Sequence, residues 1–276
     1  MQKTFDVTGP LRLEIELAAG DIEIDPTLAG KAEVELIAHD EESQRLVDAA
    51  RVELQNDRLL VDVPQKRSGF SLSVVFGRSG IECRVRCPEG TDVAARTKSA
   101  DLRARGTIGS LSMATASGDT RADRVRGAVE AKSASGEIEI AVAESSVNAQ
   151  TASGDIEIGT ARGRVSAQTA SGDVTIGEAY ADVHANTVSG DQQHRAVMQG
   201  RVTAQAVSGD VEIAVRRGSR AYLDCSTISG DTTSELDSLD EAPAGDGPLV
   251  EISAKTVSGD IKIIRAHAPA SEEVQA

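Results

Sequence analysis

The sequence predicts an all-β fold, a β-solenoid of about nine 18-residue coils with an irregular all-β N-terminal capping region. Three observations carry that expectation. A Ser-Gly-Asp tripeptide recurs at a near-constant interval, aliphatic and small residues keep register with it, and apolar and polar positions alternate on both sides of it.

Residues 1–90 alternate like strands without a fixed period, in 11–25 (LRLEIELAAGDIEID), 31–38 (KAEVELIA), 58–64 (RLLVDVP), 71–76 (SLSVVF) and 80–87 (GIECRVRC). Within them only Ala19-Gly20-Asp21 echoes the later tripeptide. Residues 40–50 (DEESQRLVDAA) suit a short helix, with Asp40 as N-cap and acids in its first turn. This region is expected to cover the first coil, because an open sheet edge invites aggregation.

From residue 91 the repeat takes over. The tripeptide or a near copy starts at Ser99, Ser117, Ser135, Ser153, Ser171, Ser189, Ser208, Ser229 and Ser258, in steps of 18, 18, 18, 18, 18, 19, 21 and 29. Six residues upstream the column is aliphatic throughout, from Val93 and Leu111 to Leu223 and Ile252. Four upstream it is nearly all Ala, and two upstream nearly all Thr. Downstream, Ile138, Ile156, Val174, Val211 and Ile261 each pair at i+2 with another isoleucine. Eighteen residues hold two short strands and their turns, but no helix, so each unit is one coil. At ~4.8 Å per coil, nine of them give a rod of roughly 40 Å. The glycines Gly118, Gly136, Gly154, Gly172, Gly190, Gly209, Gly230 and Gly259 are read as structural turns that adopt a backbone conformation closed to other residues. Ala100 stands where later units have Gly, which implies a modified turn at the join. An acidic insertion, 235–248, precedes the last repeat, the solenoid runs over 91–265, and the tail 266–276 is expected to be disordered.

Composition narrows the function classes. The net charge of −15 repels phosphate backbones, so no nucleic-acid partner is expected. No apolar run approaches the ~18 residues of a membrane span and no secretory leader stands out, so the expectation is no stable membrane insertion and a cytoplasmic location. Cys83 and Cys87 share one face of a strand about 13 Å apart, too far for a disulfide within it. With Cys225 they are read as reduced thiols.

The reiterated A/V-S-G-D-I/V-x-I unit, the irregular β N-terminal third and the late insertion resemble a bacterial β-strand-repeat family of unknown function labelled putative adhesin, the toastrack-type domain. Relatives occur in membrane proteins of the Lia and phage-shock envelope-stress systems, and the resemblance implies a link to such signalling. It brings no catalytic residues to carry over, and this chain resembles the family's soluble members.

Five features are candidates for chemistry. The carboxylate row Asp119, Glu137, Asp155, Asp173, Asp191, Asp210, Asp231 and Asp260 could attract Ca²⁺, but one acid per coil falls short of the 6–8 oxygens that ion takes, so turn chemistry is the expectation and no metal is assigned. Carbohydrate processing lacks support, with no Trp and only Tyr180 and Tyr222 to stack on a sugar, and no catalytic triad or metalloprotease motif appears. Gln192 and His194 replace the two aliphatics of their coil, with His184 one strand earlier, and are read as a locally hydrated turn. Residues 66–78 (KRSGFSLSVVFGR) are read as a hairpin with core-facing phenylalanines. The outward face of the first strands carries Gln150, Gln168, Asn186 and Gln205 beside Val188, Val207, Ile228 and Val257, and is the candidate interaction face.

These features point to a non-enzymatic β-solenoid scaffold or interaction module, without a cofactor, that engages a protein partner or itself. A self-assembling structural protein and a surface adhesin are the alternatives.

Overall fold

The computed structural model describes residues 1–64, 80–236 and 247–266. Alternation in the sequence becomes alternation of burial. Val165–Ser171 turns Val165, Ala167 and Thr169 inward, and Val174–Ala179 turns Val174, Ile176 and Ala179 inward. Successive coils then pair in parallel, with register shifts among the described residues at Ala104/Thr107 and at His194/Val197. Val129, Val147, Val165, Val183 and Val202 are consecutive partners in one row, and Ile138, Ile156, Val174, Gln192 and Val211 in the other. Each buried Val or Ile contributes roughly 1.5–3 kcal/mol, so a thin core of aliphatics and Ala accumulates stability by stacking.

Inside the core the Thr column is polar yet satisfied. Thr169 and Thr256 donate to the carbonyls of Gly154 and Gly209, each at 3.2 Å, and Thr187 donates to that of Gly190 at 3.1 Å. The threonines thus tie each strand to a turn glycine.

At those turns the coils approach closely. Gly190 has φ +149°, and a Cβ there would lie 2.0 Å from the carbonyl oxygen of Gly172. Gly118, Gly136 and Gly154 lie outside the left-handed region, and the sequence reading is corrected on this point. What excludes a side chain at these three is space, since an added Cβ would lie 1.9 to 2.4 Å from the preceding coil's carbonyl.

Toward the N-terminus the parallel ladder continues into Arg12–Asp25, where Leu13 pairs with Val93 and Ile24 with Ala104. Gly20 sits opposite Ala100, so Ala19-Gly20-Asp21 falls in register with the later tripeptides, although Arg12–Asp25 runs through it as one strand. No modified turn marks the join, because Asp92–Ile108 is one continuous strand with Ala100 fully buried. Beyond it Arg58–Asp62 and Ile81–Arg86 stack in parallel on Arg12–Asp25, and the pairing then turns antiparallel through Arg51–Gln55, Lys31–Ala38 and Gln2–Asp6. Helix Glu41–Asp48 forms as the sequence predicts, with Asp40 accepting the Ser43 amide at 2.7 Å.

The order of the last coils departs from the sequence. Leu249–Ser258 pairs with Gly200–Gln205 on one edge and with Arg220–Ser229 on the other. The final repeat in the chain is therefore the penultimate coil in space. Its Ile252, Ala254, Ile261 and Ile263 are fully buried. Their partners in the outermost coil include Thr232 and Ser234, which replace the two isoleucines and lie exposed. A coil with polar residues at those positions belongs at a solvent-facing end. Residues 66–78, with the strand expected at 71–76, residues 237–246 of the insertion and the tail beyond Ala266 lie outside the described residues.

Gly190→Ala is expected to cost on the order of 3 kcal/mol, from strain at positive φ and the clash with the coil below. Gly9→Ala, with nothing within 4 Å of the added methyl, is the control. Thermal denaturation of both variants checks this, and equal melting temperatures would remove the close-approach account.

Candidate functional site

The candidate face is built by the outward positions of the first strands, and the structure brings its apolar members together. Ser189 bridges Ser208, Ser208 bridges Ser258, and Ser258 pairs with Ser229. The residues just before them therefore stack on four adjacent coils in the order Val188, Val207, Val257, Ile228. Their exposures are 54%, 49%, 45% and 81%. Ile228 is thus at the outer end of the row, with Val257 inside it, which the swapped coils explain. Ala116, Ala134, Ala152 and Ala170, all exposed, precede Val188 in the same column.

Beside this ladder Gln150, Gln168, Asn186 and Gln205 form a second column, of which Gln168 and Gln205 are exposed and Gln150 and Asn186 half-buried. Charges bound the uncharged stretch at both ends. Lys132 pairs with Glu130 at 2.7 Å before it, and Lys255 with Asp224 at 3.7 Å after it.

The carboxylate row serves the turns. The Asp173 amide donates to Asp155 Oδ1 at 2.8 Å, Asp191 to Asp173 at 2.7 Å, Asp210 to Asp191 at 2.8 Å and Asp260 to Asp210 at 2.7 Å. The series closes with the Asp231 amide on Asp260 at 2.8 Å. Each acid thus accepts from the next coil's backbone, a charge-assisted bond that fixes turn to turn. The link from Glu137 to the Asp155 amide is missing, because the extra methylene carries the carboxylate past the amide. Among the described residues no group of three His, Cys, Asp or Glu side chains has the arrangement of a metal site.

Gln192 and His194 are not in a hydrated turn. Both lie in strand Gln192–Val197 and face the core, each 1% exposed, with His194 stacked between Ile176 and Ile213. Gln192 Nε2 donates to the Gln205 carbonyl at 2.7 Å, but neither ring nitrogen of His194 has a partner. Burial pushes the His194 pKa down to about 4. His184 points out beside Asn186, so the two histidines do not form a pair. Cys83 and Cys87 are buried free thiols, pushed by burial up to about 12 and about 11, which leaves them unreactive.

Two outcomes are expected from these features. Glu137→Asp restores the missing rung and raises stability by about 1 kcal/mol in urea titration, since the exposed Arg121–Glu137 pair it disturbs contributes little. For His194 the unfolded chain takes up its proton near 6.5 and the folded chain only near 4. Stability therefore holds above pH 6.5 and falls as pH drops through this window, by about 3 kcal/mol in total. His194→Ile is expected to flatten that acid limb in melts from pH 7.5 to 4, and parallel wild-type and variant curves would refute the buried neutral imidazole.

A family model described as Toastrack DUF4097 matches residues 11–264. No curated protein matches the chain. Solved structures similar to it include a putative adhesin from Parabacteroides distasonis ATCC 8503, at 12% identity, 96% of each chain and TM-score 0.48. A putative adhesin from Parabacteroides merdae ATCC 43184 has 12% identity, 96% of each chain and TM-score 0.45. A putative adhesin from Bacteroides fragilis NCTC 9343 has 14% identity, 96% of each chain and TM-score 0.40.

Proposed function

The chain belongs to the Toastrack DUF4097 family, and from that premise we propose that it is a non-catalytic interaction module whose β-solenoid presents the outer face of its first strands to a protein partner. The observation that carries this is the ladder Val188, Val207, Val257, Ile228, four exposed aliphatics in line in a chain with net charge −15, beside a column (Asn186, Gln205, Lys255, Ser226) that carries a single charge. Covering such a strip removes apolar area from water while desolvating few charges. A rigid, in-register sheet contributes a second advantage, because its side chains lose little further freedom on binding.

We attach a cytoplasmic location to this reading. Three free cysteines, two of them buried, are compatible with a reducing compartment. The link to envelope-stress signalling rests on the family resemblance, and the adhesin labels describe the similar proteins. One observation favours self-association as a second reading. The outermost strand, Arg220–Ser229, pairs along one edge only among the described residues, and its Tyr222 is 66% exposed.

A photo-crosslinking residue placed at Val207, with Glu139 on the second strands as control position, tests the proposal in cells. The expected result is a reproducible foreign protein captured from position 207 and absent from 139, and lost in a folded Val188→Asp/Val207→Asp variant. Self-crosslinks alone, with a concentration-dependent mass in sedimentation, would transfer the assignment to self-assembly. Equal capture at both positions would remove the face.

A further inference from the structure

A second surface, on the outer side of the second strands, has a different character and is independent of the proposed face. In most coils one corner residue stands outside the pairing register there. Ile140 pairs with Ile158 and Val142 with Thr160, which leaves Ala141 and Gly159 at the corner, and Gly177 and Arg195 are their equivalents. Strand Val211–Val215 lacks that residue. His194 pairs with Ile213 and Val197 with Val215, so Arg195 and Ala196 together face Ala214 alone. Losing one residue drops the surface by a step, and a cavity of about 790 Å³ opens along the ledge. That lies within the ~300–1,000 Å³ of small-molecule sites.

The floor of the ledge is apolar, formed by Ala196, Met198, Ala214 and Ile264, and Arg195, Arg216 and Arg217 stand at the rim. Among the described residues none of these three arginines has a carboxylate within ion-pair distance, and Arg195 bonds only Gln193 Oε1, at 3.0 Å. Of the other cations on these coils Arg164 pairs with Asp182 at 3.2 Å and Arg201 with Glu251, whereas Arg265 bonds only carbonyls. The carboxylates at the rim are engaged elsewhere, Glu178 by the Tyr180 hydroxyl at 3.0 Å and Glu212 by Lys262 at 3.6 Å. Arg265 donates to the carbonyls of Arg216 and Ser219 at 3.3 and 3.1 Å, which holds the loop carrying Arg216 and Arg217 in place.

We propose that this ledge binds one long-chain fatty acid, with the acyl chain on the apolar floor and the carboxylate taken by the rim guanidiniums. Unpaired arginines in an acidic protein mark the spot where an anion is attracted, and guanidinium suits carboxylate geometry. The floor strands Gln192–Val197 and Val211–Val215 are each paired on both edges, so they offer little to a peptide main chain, whereas an acyl chain needs nothing. A concave site of this volume takes a single chain rather than a bilayer surface.

Isothermal titration of the full chain with sodium myristate below its micelle concentration tests the proposal, with sodium acetate and phosphatidylglycerol vesicles as further arms. One myristate per chain is expected, at least about tenfold weaker in Arg195→Gln/Arg216→Gln and in Met198→Glu, all of which alter exposed or half-buried side chains and keep the wild-type melting temperature. No myristate heat with folded protein would overturn it. So would unchanged binding in the variants, acetate binding as tight as myristate (an ion site only), or vesicle binding without myristate binding (a membrane surface instead). Loss of partner capture at Val207 leaves this result untouched, so the two proposals fail separately.

Discussion

The contact on which the structure depends is the passage of one turn beneath the carbonyl of the turn before it. Strands in a sheet stand about 4.8 Å apart, and a solenoid must keep that spacing at its corners as well as along its strands. At the Ser-Gly-Asp turns an added Cβ would lie 1.9 to 2.4 Å from the preceding coil's carbonyl oxygen. Only glycine allows the approach, and once it is made other choices follow. The Thr two residues upstream reaches a turn carbonyl, and the Asp downstream accepts the next turn's amide. The coil is then thin, and its core consists mainly of Val, Ile, Leu and Ala in a chain with no Trp and three Phe.

A stack of identical coils has no natural end, and the two ends of this one are closed differently. At the N-terminal end the strands change from parallel to antiparallel pairing, and a short helix packs beside Lys31–Ala38. At the other end the chain lays down a coil with Thr232 and Ser234 at the aliphatic positions, then returns to insert an aliphatic coil beneath it. Both solutions place the least apolar pairing outermost, where water satisfies what the core could not.

Period, registered columns and turn chemistry made the solenoid legible in the sequence, because each is a local constraint repeated many times. The N-cap at Asp40 was legible for the same reason, as one side chain satisfying an amide three residues on. The swapped coils were not, since strand order is a long-range choice. Its trace was present in TTS at 232–234, which breaks the I-x-I pattern. The apolar ladder could be read as membership of a column, but its order along the rod required the topology. Neither the ledge nor its arginines showed in the sequence, because a missing corner residue matters only against its neighbours in space. Gln192 and His194 misled the sequence reading because polarity suggested solvent, whereas the parity of their positions had already put them inside.

The departures from the repeat are concentrated rather than scattered. The step from Ser189 to Ser208 is the first that is not 18 residues. Within that interval the core receives its buried Gln192 and His194, and the next coil loses its corner residue. Val188, where the outward column changes from alanine to larger aliphatics, immediately precedes it. A solenoid tolerates such changes because each coil contacts only its neighbours, so a local cost does not propagate along the rod. A chain that can keep one coil as regular as the last, and does so five times before this point, departs from the pattern where a regular surface would not serve. That places both proposed surfaces on the same few coils, one on each side of the sheet, with an unpartnered imidazole in the core between them.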